Sequence, residues 1–136
     1  PTPELIARAN TAGDVVLLPH IGASTKQAEE NCAVMAVNQM KEFLQTGNIK
    51  NSVNFPDVHL VRTTDFRISI TNRNVPAMIG QITTALGDLN LNIAEMTNVS
   101  KGEIAYNLID VENPVDEMSI NSLREIENVI NVRLIT

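Results

Sequence analysis

The stretch Phe66-Arg67-Ile68-Ser69-Ile70-Thr71 sets the reading of the fold. Apolar Phe66, Ile68 and Ile70 alternate with polar Arg67, Ser69 and Thr71, the period-two pattern of a strand with one buried face. Downstream, Pro76 suits the first turn of a helix, and Ile79, Ile82, Leu86 and Leu89 recur at helical spacing along one face. Asn90 can adopt the left-handed turn that ends such a helix. Ile93 to Val99 reads as a second strand, Ser100-Lys101-Gly102 as a hairpin turn, and Ile104 to Val111 as a third strand. Pro114 and Asp116 open a second helix, with Ile120, Leu123 and Glu127 on successive turns. Val129 to Ile135 is the last strand, with Ile130, Val132 and Leu134 expected on one face. The order β-α-β-β-α-β predicts an α+β, ferredoxin-like fold with both helices on one face of the sheet. The other face and two strand edges then need cover, and open edges invite pairing with a second copy. Fold alone says little about function.

Upstream the pattern differs. Glu4 to Asn10 reads as a short helix broken at Gly13-Asp14, and Val15 to Leu18 as a strand covered on both faces, as in a parallel sheet. Pro19-His20-Ile21-Gly22 is a loop. Ser24 with Gln27 matches a capping box, and a long helix is predicted from there to about Gln45, stopped by Gly47. Cys32, Met35, Ala36, Met40 and Phe43 form one apolar stripe, widened by Ala33, Val34, Val37 and Leu44, so the helix is apolar on more than one side. Asn48 to Thr64 has no sustained periodicity and reads as a linker. The expected division is therefore 1–60, a strand, a long helix and a linker, and 65–136, the ferredoxin-like domain.

Composition narrows the function. The 136 residues carry a net charge of −6, with no basic stripe, which argues against nucleic acid. No apolar run is long enough to span a bilayer, and no signal segment opens the chain, so a cytoplasmic location is expected. Pro1-Thr2-Pro3 is no initiation site, and a fragment of a longer protein is expected. The single Cys32 excludes an internal disulfide, and with His20 and His59 far apart no metal site is expected.

Two motifs carry more than topology. Leu17-Leu18-Pro19-His20-Ile21-Gly22-Ala23-Ser24-Thr25 is similar to the histidine signature of the D-2-hydroxyacid dehydrogenases. Ile70-Thr71-Asn72-Arg73-Asn74-Val75-Pro76, followed by Leu91-Asn92-Ile93-Ala94, resembles the ligand loop and second-strand start of ACT domains. With Val53-Asn54-Phe55-Pro56 between them, the order resembles the D-3-phosphoglycerate dehydrogenases that end in an ACT domain. The resemblance implies that residues 1–60 are the tail of Rossmann-type dehydrogenase domains plus a linker, and 65–136 a regulatory ACT domain.

It further implies an oxidoreductase parent that uses NAD in L-serine biosynthesis, with His20 as its general acid/base. Imidazole titrates in the range that such proton transfer needs. The steering carboxylate, the substrate-binding arginine and the glycine-rich turn for the pyrophosphate are not in this sequence, so the chain alone is expected to be inactive. The resemblance also places an allosteric L-serine site at Asn72 and Asn74, with Asn92 supplied by a neighbouring subunit of a homo-oligomer. Asparagine suits a zwitterion because it offers both donors and an acceptor. It is also common in turns for conformational reasons alone. Many relatives carry His at Asn72, Arg at Val75 and Gly at Ala77. An ACT-like module kept only for oligomerisation, and a small complete enzyme built on His20, stand as alternatives. Met78, Met96 and Met118 read as core filler.

Overall fold

The computed structural model describes residues 2–12, 15–19, 21–22 and 24–136. The chain divides into two compact units, Pro1–Val37 and Asn38–Thr136.

In the first unit, α1 (Pro3–Thr11) is capped by Thr2, whose hydroxyl accepts the amide of Leu5. Val15 to Leu18 forms no strand, contrary to expectation, and Val16 is 77% exposed. A strand is defined by its ladder, and this run has no partner among the described residues. The helix α2 (Lys26–Thr46) begins one residue later than the sequence suggests. Thr25, not Ser24, receives the Ala28 amide at 3.1 Å, while the Ser24 amide bonds back to Ile21. No residue of α2 is buried, and Val34, Met35, Val37, Met40 and Leu44 all stand exposed.

The second unit contains β1 (Phe66–Arg73), α3 (Met78–Asp88), β2 (Ile93–Lys101), β3 (Ile104–Val111), α4 (Glu117–Arg124) and β4 (Val129–Ile135). All pairings are antiparallel, in the order β2-β3-β1-β4, which is the expected ferredoxin-like arrangement with β2 and β4 at the edges. Ile82 and Leu86 of α3 and Ile120 and Leu123 of α4 pack on Ile68, Ile70, Ile109, Val111 and Val132. Asp116 caps α4 by accepting the Ser119 amide at 2.7 Å, and Asn90 takes the expected left-handed conformation after α3.

Several sequence expectations need correction. Pro76 lies two residues ahead of α3, whose buried face starts at Met78 rather than at the exposed Ile79. Glu127 lies beyond the end of α4, and Met118 is 75% exposed and fills no core. Ile130 is exposed because the β1–β4 register slips there: Thr71 faces Asn131 and Asn72 faces Val129, leaving Ile130 as the extra residue of a bulge.

The largest departure concerns β1, which is buried on both faces. Residues 43–63 do not hang free; they cover the sheet face opposite the helices. Val58, Tyr106 and Leu108 form a second core with Phe43, Ile49, Phe55 and Leu60 around it. Arg67, 0% exposed, makes a paired ion bridge with Asp110 at 2.5 and 2.9 Å and donates to the carbonyls of Thr46 and Leu60. Thr63 donates its amide and its hydroxyl to the same carboxylate. Tyr106 donates to the carbonyl of Gly47 at 2.9 Å, and the Arg133 guanidinium lies 4.5 Å over the Phe43 ring. A polar face is thus buried because charge and hydrogen bonds are satisfied by the segment lying on it.

Candidate functional site

The loop from β1 to α3 builds the site. Ala77 adopts a left-handed conformation with φ +67°, a region that asparagine and glycine tolerate and alanine resists. Its role as the residue before α3 leaves no side chain capping the helix. The amide-rich start of α3 at Met78, Ile79 and Gly80 therefore faces a cavity of about 150 Å³, lined also by Asn72, Asn74, Asn98 and Ala105. That volume lies below the roughly 300–1,000 Å³ of drug-sized sites and suits a molecule of few heavy atoms. An uncapped helix start favours an anion through its free N–H groups and its dipole.

The left-handed Ala77 also gives a stability expectation. Ala77→Gly removes the clash of Cβ in this conformation, offset in part by the greater freedom of glycine in the unfolded chain. We expect a gain of roughly 0.5–1 kcal/mol, read as a higher midpoint in urea with an unchanged slope. A lower midpoint would contradict the strain.

The sequence-derived site residues separate in space. Asn72 is 1% exposed; its Oδ1 accepts from Asn107 at 2.7 Å, and its Nδ2 donates to the carbonyl of Arg73 at 2.7 Å. Asn74 is exposed, and its Nδ2 donates to the carbonyl of Gly102 at 3.1 Å. Both line the cavity. Asn92 does not. It stands at the start of β2, at the opposite end of the sheet, and its Nδ2 donates to Glu112 at 2.6 Å. His20 lies outside the described residues. The sequence reading missed Asn98 and Asn107, joined by a 2.6 Å hydrogen bond. The observed register, which turns at Gly102 and Glu103 rather than at Ser100–Gly102, is what pairs them.

Two larger depressions are less suited to chemistry. One of about 590 Å³ lies against the side of α3, at Gln81, Thr84 and Asp88, with Ile126 and Glu127. Another of about 410 Å³ includes Asn48 and His59, whose side chains bond each other at 3.2 Å. Among the described residues no cluster of His, Cys, Asp and Glu could hold a metal, and no helix is long and apolar enough to cross a membrane.

The chain is similar to known proteins. The D-3-phosphoglycerate dehydrogenase of Haemophilus influenzae is 29% identical over 133 residues, 97% of this chain and 32% of that protein. D-3-phosphoglycerate dehydrogenase 1 of Saccharomyces cerevisiae is 30% identical over 138 residues, 98% of this chain and 28% of that protein. The chain is a relative of the D-3-phosphoglycerate dehydrogenases. It spans less than a third of the length of these two relatives and corresponds to a C-terminal fragment of them. No family model matches the sequence. Among solved structures, the ACT domain of the GTP pyrophosphokinase from Chlorobium tepidum aligns at 24% identity and a TM-score of 0.43, over 51% of this chain and 94% of that one. The ligand-free regulatory subunit of aspartate kinase from Thermus thermophilus aligns at 10% identity and a TM-score of 0.45, over 51% and 48%.

Proposed function

We propose that this chain is the regulatory end of an NAD-dependent D-3-phosphoglycerate dehydrogenase and that L-serine binds its cavity as a feedback inhibitor. Residues 1–60 then belong by descent to the dehydrogenase domains and 65–136 to an ACT domain. The observation that carries this reading is the small cavity where Asn72, Asn74 and the uncapped start of α3 converge, in a relative of that enzyme family. The helix start offers N–H donors to the α-carboxylate, and Asn74 offers a carboxamide beside them.

Asn92, distant within one chain, joins the ligand from a neighbouring copy. A ligand shared by two copies favours the state in which both halves of the site meet, and it shifts the equilibrium only by that difference in affinity. In the parent, this pairing restrains the domains that bring His20 to the substrate.

Calorimetric titration of L-serine into wild type, Asn74→Ala and Asn92→Ala tests the reading. Each substitution removes a hydrogen bond to a charged ligand group, at a cost of roughly 1.5–3 kcal/mol, about a tenfold to hundredfold loss of affinity. Sedimentation in the same samples is expected to show serine favouring the associated form. Absence of saturable heat from wild type at millimolar serine would favour a module that serves oligomerisation without ligand. Unchanged affinity in both variants would place the site elsewhere.

A further inference from the structure

Three asparagines stand in a row across β2, β3 and β1, on the sheet face covered by the helices. Asn98 faces Asn107 across the β2–β3 pair, and Asn107 faces Ile70, two residues before Asn72. Two backbone carbonyls fix how these amides point, because a carbonyl oxygen can only accept. Ile70 takes an N–H of Asn107 at 3.0 Å, and Arg73 takes one from Asn72 at 2.7 Å. The second N–H of Asn107 goes to Oδ1 of Asn72 at 2.7 Å, so Asn107 keeps only its own Oδ1 free to accept. That oxygen receives Nδ2 of Asn98 at 2.6 Å. The row thereby has a direction, and it ends at Asn98, which is exposed and whose Oδ1 has no partner among the described residues.

An amide row in this place needs a reason. Ile109 and Val111, on the same face of β3, are fully buried and apolar, as a sheet-helix core ordinarily is. Asn107 is equally buried and holds its place because both of its N–H groups and its oxygen are hydrogen-bonded. Its saturated amide leaves one open acceptor at the end of the row, and Asn98 and Asn72 both line the cavity.

We propose that Asn98 selects for a ligand's α-ammonium group through its side-chain carbonyl oxygen, with Asn107 as the positioning residue that keeps that oxygen outward. The proposal rests on the reading of the cavity as an amino-acid site and adds the group that reads the amine. A carbonyl oxygen accepts from –NH₃⁺ and repels a carboxylate, so it also sets which way round the zwitterion lies. If Asn107 loses its acceptor, Asn98 has no reason to hold its amide in this orientation.

The test uses the 136-residue chain with L-serine and 3-hydroxypropionate, which keeps the carboxylate and the hydroxyl but lacks the amine. Wild type is expected to prefer serine. Asn98→Ala, on an exposed edge-strand position, is expected to weaken serine roughly tenfold to hundredfold while leaving 3-hydroxypropionate unchanged. Asn107→Val is expected to erode the same preference, with a thermal scan confirming that it folds. A serine preference retained in Asn98→Ala would overturn the inference and leave the amino-acid site standing. Equal loss of both ligands would also overturn it, since Asn98 would then shape the cavity without reading the amine. If wild type binds neither serine nor any other α-amino acid, the reading of the cavity falls, and this inference with it.

Discussion

Asp110→Asn is expected to destabilise the protein by about 3–5 kcal/mol, the cost of leaving a buried guanidinium without its counter-charge. For a unit of this size that is a fall in Tm of roughly 12 °C or more. Arg67 and Asp110 are both fully buried, and the pair joins β1 to β3 beneath residues 43–63. Burial by itself pushes the Asp110 carboxyl up. The hydrogen bonds from Arg67 and Thr63 and the charge of Arg67 outweigh it, and the pKa settles below the ordinary carboxylate value.

With the folded pKa below that of the unfolded chain, the unfolded state takes the proton first. The stabilisation is therefore complete above an unfolded value of ~3.9 and is lost as pH falls through the folded pKa. Wild type should lose this contribution only below about pH 4, and Asp110→Asn should flatten that acid limb. Arg67→Met with Asp110→Leu should cost less than the two single changes together, because no lone charge remains inside. Thermal melts from pH 3 to 7 on wild type, Asp110→Asn, both single changes and the double variant decide it. An Asp110→Asn variant as stable as wild type would mean that the pair contributes nothing net.

How such a pair escaped the sequence reading is instructive. The period of Phe66 to Thr71 was right about the strand and wrong about its second face, because a polar residue in an alternating pattern ordinarily faces water. The corrective signal lay on a different strand. In Ile104 to Val111, Tyr106 and Leu108 alternate with Ala105, Ile109 and Val111, so each face carries apolar residues beside one polar residue, as in a strand covered on both sides. Local pattern reports burial without naming the cover, and residues 48–64 carry no periodicity that would nominate them.

The topology was legible because each strand and helix repeats its own period, and Asn90 and Gly102 mark their turns. The bulge at Ile130 was not, since register depends on the partner strand. Of the expected site, Asn72 and Asn74 converge on one cavity and Asn92 stands apart, where the resemblance expects a neighbouring subunit's share. The amide row was invisible for another reason: pairing Asn98 with Asn107 takes a hairpin register, and linking them to Asn72 takes the sheet order.

Gly47→Ala is the second large effect expected. The sequence marks Gly47 as the stop of the long helix, and the structure gives it φ +75°, where an L side chain is strained by roughly 1–2 kcal/mol. Space is also short. A Cβ on Gly47 would stand 2.7 Å from a terminal methyl of Ile135 and 2.7 Å from one of Leu108. Such methyls can swing aside when their surroundings are loose, but Leu108 is fully buried and Ile135 nearly so. Overpacking of this kind adds roughly 1–3 kcal/mol, so the total is about 2–5 kcal/mol.

The carbonyl of Gly47 also accepts the buried Tyr106 hydroxyl, so any backbone shift that relieves the clash strains that bond. Ile135→Val, which removes one of the two clashing methyls, costs about 0.5–1.5 kcal/mol by itself. Combined with Gly47→Ala it should cost less than the sum, because the substituted groups meet. Urea titration of the wild type, both single variants and the double variant measures that coupling. Strict additivity would locate the whole effect in the backbone conformation. A Gly47→Ala midpoint equal to that of wild type would show that the start of the covering segment rests on the sheet less tightly than these contacts require.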